Sequence, residues 1–138
     1  MSDANKALAR RFYAAVSAGQ FDSINDAIAE NFVEHEKFPG LEPTREGVQK
    51  MFEMMRSAFQ DFRMEIDDMI AEGDKVFLRA RMCGTHKGEF LGIAPTGRQI
   101  DVPFADFVRI ESGRVVEHWG ITDTGAMMQQ LGQGGEPA

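Results

Sequence analysis

Residues 98–123, RQIDVPFADFVRIESGRVVEHWGITD, decide the fold. Ile100, Val102, Phe104, Val108 and Ile110 recur at every second position, the period of a strand with one buried face. Ser112-Gly113 separates this run from a second one, so the segment reads as a hairpin. A three-residue loop with Gly113 in the left-handed conformation pairs Ile110 with Arg114, Val108 with Val116, Asp106 with His118 and Phe104 with Gly120. A two-residue loop instead pairs Asp106 with Trp119 and turns His118 to the other face. The three-residue register is preferred because it gathers Val102, Phe104, Val108, Ile110 and Val116 on one apolar face. Asp106 and His118 are then its polar exceptions. Trp119 points the other way, where a large aromatic suits a sheet or subunit contact.

Upstream, two more strands are predicted, from residue 61 and over 75–86, around a turn at Glu72-Gly73-Asp74. Val76, Leu78, Ala80 and Met82 alternate with Arg79 and Arg81. Helices occupy the N-terminal part. Leu8, Phe12, Ala15 and Val16 form one helical stripe, which Gly19 ends. Phe21, Ile24 and Ile28 suggest a short second helix, and residues 31–36 a brief extended piece. Thr44 is the expected N-cap of a third helix whose stripe is Val48, Met51, Phe52, Met55 and Phe59. Met127, Met128 and Leu131 suggest a closing helix, and 133–138 a frayed tail. Helices followed by consecutive strands define an α+β chain, here one domain over 1–138, with the N-terminal helices over the concave face of a curved antiparallel sheet. Such an arrangement leaves a pocket between the layers.

The composition narrows the partners. Fifteen basic and 22 acidic side chains give a net charge of −7, which argues against nucleic acid or an anionic membrane surface. No apolar run has the roughly 20 residues that a bilayer crossing needs. The start, MSDANKALARR, lacks an apolar signal core, and the single cysteine, Cys83, suits a reducing compartment. A cytoplasmic protein is the expectation.

The Asp106–His118 pair is the main chemical feature. A carboxylate beside an imidazole orients the ring and raises its pKa, and in an apolar pocket such a pair moves protons. The plain alternative is a satisfied polar pair that only fixes the strand register. His35 and His86 each end an extended piece beside a Gly- or Pro-containing loop and are candidate pocket residues. With His118 they could converge on a metal, but no HxxxH-like spacing supports this, and no metal is expected. Tyr13 is a candidate pocket hydrogen-bond donor or a surface tyrosine. Asp123 is either an acid/base group at the pocket mouth or the cap of the closing helix. Phe52, Met55, Phe104 and Val116 are candidate apolar walls.

Five segments carry a resemblance: RRFYAAVSAGQFDSI (10–24), NFVEH (31–35), GTHKGEFLGIAPTGRQI (84–100), FADFVRIESGRVVEHWGITD (104–123) and QQLG (129–132). Together they resemble the SnoaL-like polyketide cyclase (ester cyclase) family of the nuclear transport factor 2-like superfamily. The resemblance implies a cone-shaped α+β barrel with one deep pocket, often assembled as a homodimer or higher homo-oligomer. It implies an intramolecular aldol ring closure of a polyketide ester, run by an acid/base carboxylate with no metal or cofactor. Carried over by position, the catalytic aspartate of the cyclases falls on Gly120, which has no proton to give. A pocket histidine falls on Asp106, and the histidine preceding the catalytic position matches His118. Asp123 matches an aspartate common in the broader family.

Two functions therefore compete. One is a cofactor-free enzyme of cyclase, lyase or isomerase type, acting on a small apolar carbonyl or ester compound with Asp106 and His118 as the proton-transfer pair. The other is a non-catalytic domain that binds a small molecule or assembles with partners.

Overall fold

The strands and helices follow from two periods in one chain. In the computed structural model, which describes residues 2–132, helix α1 (Ser2–Ser17) buries Ala9, Phe12, Tyr13 and Val16 along one stripe. The expected tail at 133–138 lies outside the described residues. Helix α2 (Ser23–Ala27) is shorter than expected. Ile28 leaves it with extended backbone (φ −114, ψ 131) and opens strand β1 (Ile28–Glu34). Helix α3 (Arg45–Ala58) starts at Thr44, whose Oγ1 accepts the Gly47 N–H at 3.3 Å. It buries Val48, Phe52, Met55 and Ala58.

Strands β2 (Phe59–Glu72), β3 (Lys75–His86), β4 (Gln99–Glu111) and β5 (Arg114–Thr122) form an antiparallel meander, closed by helix α4 (Thr124–Gln130). The sheet order is β1-β5-β4-β3-β2. β1 pairs with β5 in parallel, so the sheet is mixed, not antiparallel throughout as expected. It is also open, with β1 and β2 at its edges, rather than a closed barrel. The parallel pairing follows from connectivity: the long excursion through α3, β2, β3 and β4 brings β5 back beside β1 in the same direction. Irregularities in β2, one of them at Asp61 with φ 58, bend the sheet around the helices. α1 packs on β2 and β3, and α3 on β1 and β2.

The hairpin register differs from the expected one in two ways that nearly cancel. The turn has two residues, not three: Ser112 (φ 53) and Gly113 (φ 77) are both left-handed, and Glu111 pairs with Arg114. That geometry matches the strand twist. A bulge then places an extra residue on β5, since Ile110 pairs with Val115 but Arg109 with Glu117. Asp106 consequently faces Gly120, and His118 faces Val108. The bulge restores the parity that the shorter turn removes, so His118 still shares the face of Asp106. Because of the bulge both Val115 and Val116 are buried.

The outer face of the sheet carries Phe77, Phe107 and Trp119 in one cross-strand row, with Ile121 78% exposed beside it. Phe107 and Trp119 pack edge to face.

Ser112 adopts a conformation that costs a β-carbon residue energy and that asparagine tolerates better. Ser112→Asn is expected to raise the unfolding free energy by about 0.5–1 kcal/mol, measured by urea denaturation.

Candidate active site

Between the sheet and the helices lies a cavity of about 400 Å³. Its walls are apolar, with Met51, Phe52 and Met55 from α3, Phe62 and Met64 from β2, and Met82 from β3. Phe104 and Val108 of β4, Val115 of β5 and Met127 of α4 complete them. Methionine side chains adapt to irregular ligands, so this lining suits a small apolar guest.

Six polar residues of the cavity lining stand out, each linked by a hydrogen bond or ion pair to another of the six. Tyr13 comes from α1, Asp106 from β4, His118 and Thr122 from β5, Glu34 from the end of β1, and Glu36 just beyond it. Strand parity explains the last two. Phe32 is buried, so Glu34 and Glu36 follow it inward and His35 turns outward. The Glu34 Cα lies opposite that of His118 across the parallel ladder.

His118 donates at both ring nitrogens. Nδ1 bonds Glu34 Oε1, and Nε2 bonds Asp106 Oδ1 at 2.8 Å. Donation from both nitrogens requires the imidazolium. Burial alone would push its pKa down, but Asp106 and Glu34 more than reverse this and raise it from 6.5 to about 10. The raised value favours the imidazolium over the neutral ring near neutrality. Asp106 accepts from His118 on one oxygen and from the Tyr13 hydroxyl on the other. Burial first, and then the charge and hydrogen bond of Asp106, hold the Tyr13 phenol well above its ordinary value, so it stays neutral.

Glu36 is different. Its Oε2 accepts from Thr122 Oγ1 at 3.0 Å, while Oε1 has no hydrogen bond among the described residues. Burial pushes its pKa up from 4.5. The charges of Asp106 and Glu34 add to this, against the Thr122 hydrogen bond and the charge of His118.

Four expected pocket residues lie elsewhere. His35 stacks on Trp119 with ring centroids 4.7 Å apart and pairs with Glu117 at 2.8 Å on the outer face. His86 is fully buried behind the cavity wall, where its Nδ1 accepts from the Thr96 N–H and it packs against Phe59. Val116 gives way to Val115 because of the bulge. Asp123 caps α4, its Oδ1 accepting the Ala126 N–H at 2.9 Å. The three histidines therefore do not converge. Tyr13, Phe52, Met55, Phe104, Asp106 and His118 all line the cavity. Glu34 and Glu36 are site residues beyond those expected, and the spacing Phe32, Glu34, Glu36 signals them: an inward apolar residue followed by two acids at period two.

Ligating atoms of Glu36, Asp106 and His118 lie within 4.8 Å of one another. Both nitrogens of His118 are engaged by carboxylates in this structure, Nδ1 by Glu34 and Nε2 by Asp106.

A curved α+β sheet enclosing an apolar cavity with a buried acid–imidazolium cluster defines a small-molecule pocket protein. Residues 7–131 match the SnoaL-like polyketide cyclase family, and the chain belongs to it. No curated protein matches the sequence. Among solved structures, IdmH of Streptomyces antibioticus, described as a candidate polyketide cyclase, is 32% identical over 93% of this chain and 98% of its own, with a TM-score of 0.82. TsrD of Streptomyces laurentii is 27% identical over 95% and 96%, with a TM-score of 0.86. AclR of Streptomyces galilaeus, described as a candidate hydroxylase, is 29% identical over 97% and 84%, also with a TM-score of 0.86.

Because the folded pKa of His118 exceeds the unfolded one, its proton stabilises the native state. That contribution is complete below about pH 6.5 and is lost as pH rises through about 10. Urea unfolding between these limits is expected to show stability falling by up to about 1.4 kcal/mol per pH unit. His118→Gln should flatten this slope.

Proposed function

We propose that the chain is a cofactor-free acid/base enzyme of cyclase type, acting on a small, largely apolar carbonyl or ester compound. The observation that carries this reading is the charged cluster Asp106–His118–Glu34 set at one end of an otherwise apolar cavity. Ring closure by aldol addition needs three things. The substrate must be folded so that its two reacting carbons meet, an α-proton must be removed, and negative charge on oxygen must be stabilised until it is reprotonated. The methionine- and phenylalanine-lined walls supply the first. The imidazolium, its charge balanced by Asp106 and Glu34, fixes a rigid hydrogen-bonding cluster beside the reacting carbons. Asp106 and Tyr13 hold that imidazolium in place and act as positioning residues.

Membership of the SnoaL-like family supports a cyclase-type reaction. The likeness to AclR, described as a candidate hydroxylase, shows that this fold carries more than one assignment, so the reaction class rests on the site. The binding-only reading draws on Gly120, where no side chain reaches the cavity.

An aryl β-keto methyl ester able to close a six-membered ring tests the choice. The wild type is expected to cyclise it faster than buffer, and Asp106→Asn and His118→Gln to lower kcat/KM by about 100-fold or more. A wild-type rate equal to buffer would favour the binding-only reading. So would native mass spectrometry, on protein purified from its own host, that finds only a retained compound without a carbonyl group.

The row of exposed Phe77 and Phe107 with half-buried Trp119, beside exposed Ile121, further supports self-association through the outer sheet face. Sedimentation is expected to give a homodimer or larger homo-oligomer that Trp119→Glu dissociates.

A further inference from the structure

The polar cluster leaves one group with a free acceptor atom and no cation of its own. The Tyr13 hydroxyl is spent on Asp106, and both Asp106 oxygens accept. Both His118 N–H groups are donated, one of them to Glu34, which also takes the Glu36 backbone N–H at 3.0 Å. Glu36 alone of the three carboxylates forms no ion pair among the described residues, and its Oε1 accepts no hydrogen bond.

The position of that free oxygen depends on Gly120. A β-carbon on residue 120 would overlap Glu36 Oε1, and it would stand 2.7 Å from His118 Cε1 and 2.8 Å from Asp106 Oδ1. Real β-carbons do not come so close. The glycine therefore opens the space into which a carboxylate from a different element, beyond the end of β1, is inserted. It is inserted at the point where the β5 backbone faces Asp106.

We propose that Glu36 is the catalytic base and acid of this site, a carboxylate delivered to position 120 from the β1 side rather than carried by β5. The assignment rests on the acid/base reading above and names the proton carrier that reading lacks. As base, the Glu36 carboxylate takes a proton from the carbon next to the substrate carbonyl, and the C–H electron pair becomes the enolate. The enolate carbon then bonds to the electrophilic carbonyl carbon, whose π pair moves to oxygen. The proton held by Glu36 passes to that alkoxide, so the carboxylate is restored and no other reactant is consumed. Burial beside Asp106 and Glu34 keeps Glu36 more basic than an exposed carboxylate, as a base for a carbon acid requires.

Two measurements on the full chain test the assignment. The first is a carbon-13 carboxyl titration of glutamate-labelled protein, with the Glu36 signal identified by its loss in Glu36→Gln. Its midpoint is expected above the ordinary 4.5 and to fall in Asp106→Asn, since Asp106 is one of its raising charges. A midpoint at or below the ordinary value overturns the proposal.

The second uses 5-nitrobenzisoxazole, a flat apolar probe whose ring opens when a base removes one carbon-bound proton and the N–O bond breaks. Wild-type kcat/KM should rise with pH along the Glu36 titration. Glu36→Gln, which keeps the Thr122 hydrogen bond and nearly the same volume, should lose about 100-fold or more. Gly120→Ala, which removes no proton-carrying group, should also lose activity, because its β-carbon displaces Glu36 together with His118 and Asp106. Equal rates for wild type and Glu36→Gln overturn the assignment of Glu36. They leave the cyclase-type reading intact if the β-keto ester still cyclises and Asp106→Asn still abolishes it.

Discussion

A protonated imidazole buried between two carboxylates organises this molecule. Placing one charge in an apolar interior is costly, and the cost is offset only when partners with good geometry neutralise it. His118 has such partners in Asp106 of β4 and Glu34 of β1, and Tyr13 of α1 completes the hydrogen bonding of Asp106. One ionic cluster thus ties the first helix to three neighbouring strands at the charged end of the cavity. Loss of any member leaves another buried charge without its partner, so the cluster behaves as a unit.

The same cluster gives the cavity its chemical direction. Most of the wall is methionine and phenylalanine, which holds a guest without orienting it. The polar end supplies an imidazolium balanced by the two carboxylates committed to it, and a third carboxylate with an uncommitted oxygen. A fixed ionic cluster beside a carboxylate with a free oxygen suits the proposed acid/base chemistry. At Gly120 the absence of a side chain on β5 leaves room for the Glu36 carboxylate, which reaches the same place from beyond the end of β1.

Much of this was legible in residue order, and the reasons for the failures are specific. The period-two runs in β2 to β5 and the helical stripes of α1 and α3 gave the elements. Thr44 and Gly113 marked real boundaries. Asp106 and His118 were recognised as sharing a face, though by a register wrong at both the turn and the bulge. A bulge is invisible to periodicity because Val115 and Val116 are equally apolar. His35 and His86 were misplaced because position near a loop says nothing about which face a side chain takes. Glu34 and Glu36 are signalled only by the parity that Phe32 sets, which a strand expected to end at His35 does not extend to its acidic successors.

Local pattern was enough for the α+β class, the apolar faces and the family, since these depend on spacing along one segment and on short motifs. The carboxylate beside Gly120 and the partners of the imidazole were not readable in this way. They depend on β5 returning parallel beside β1, on an extra residue in β5, and on the room that Gly120 leaves for Glu36. Each is a relation between residues far apart in the chain, set by packing between elements rather than by the preference of any one of them.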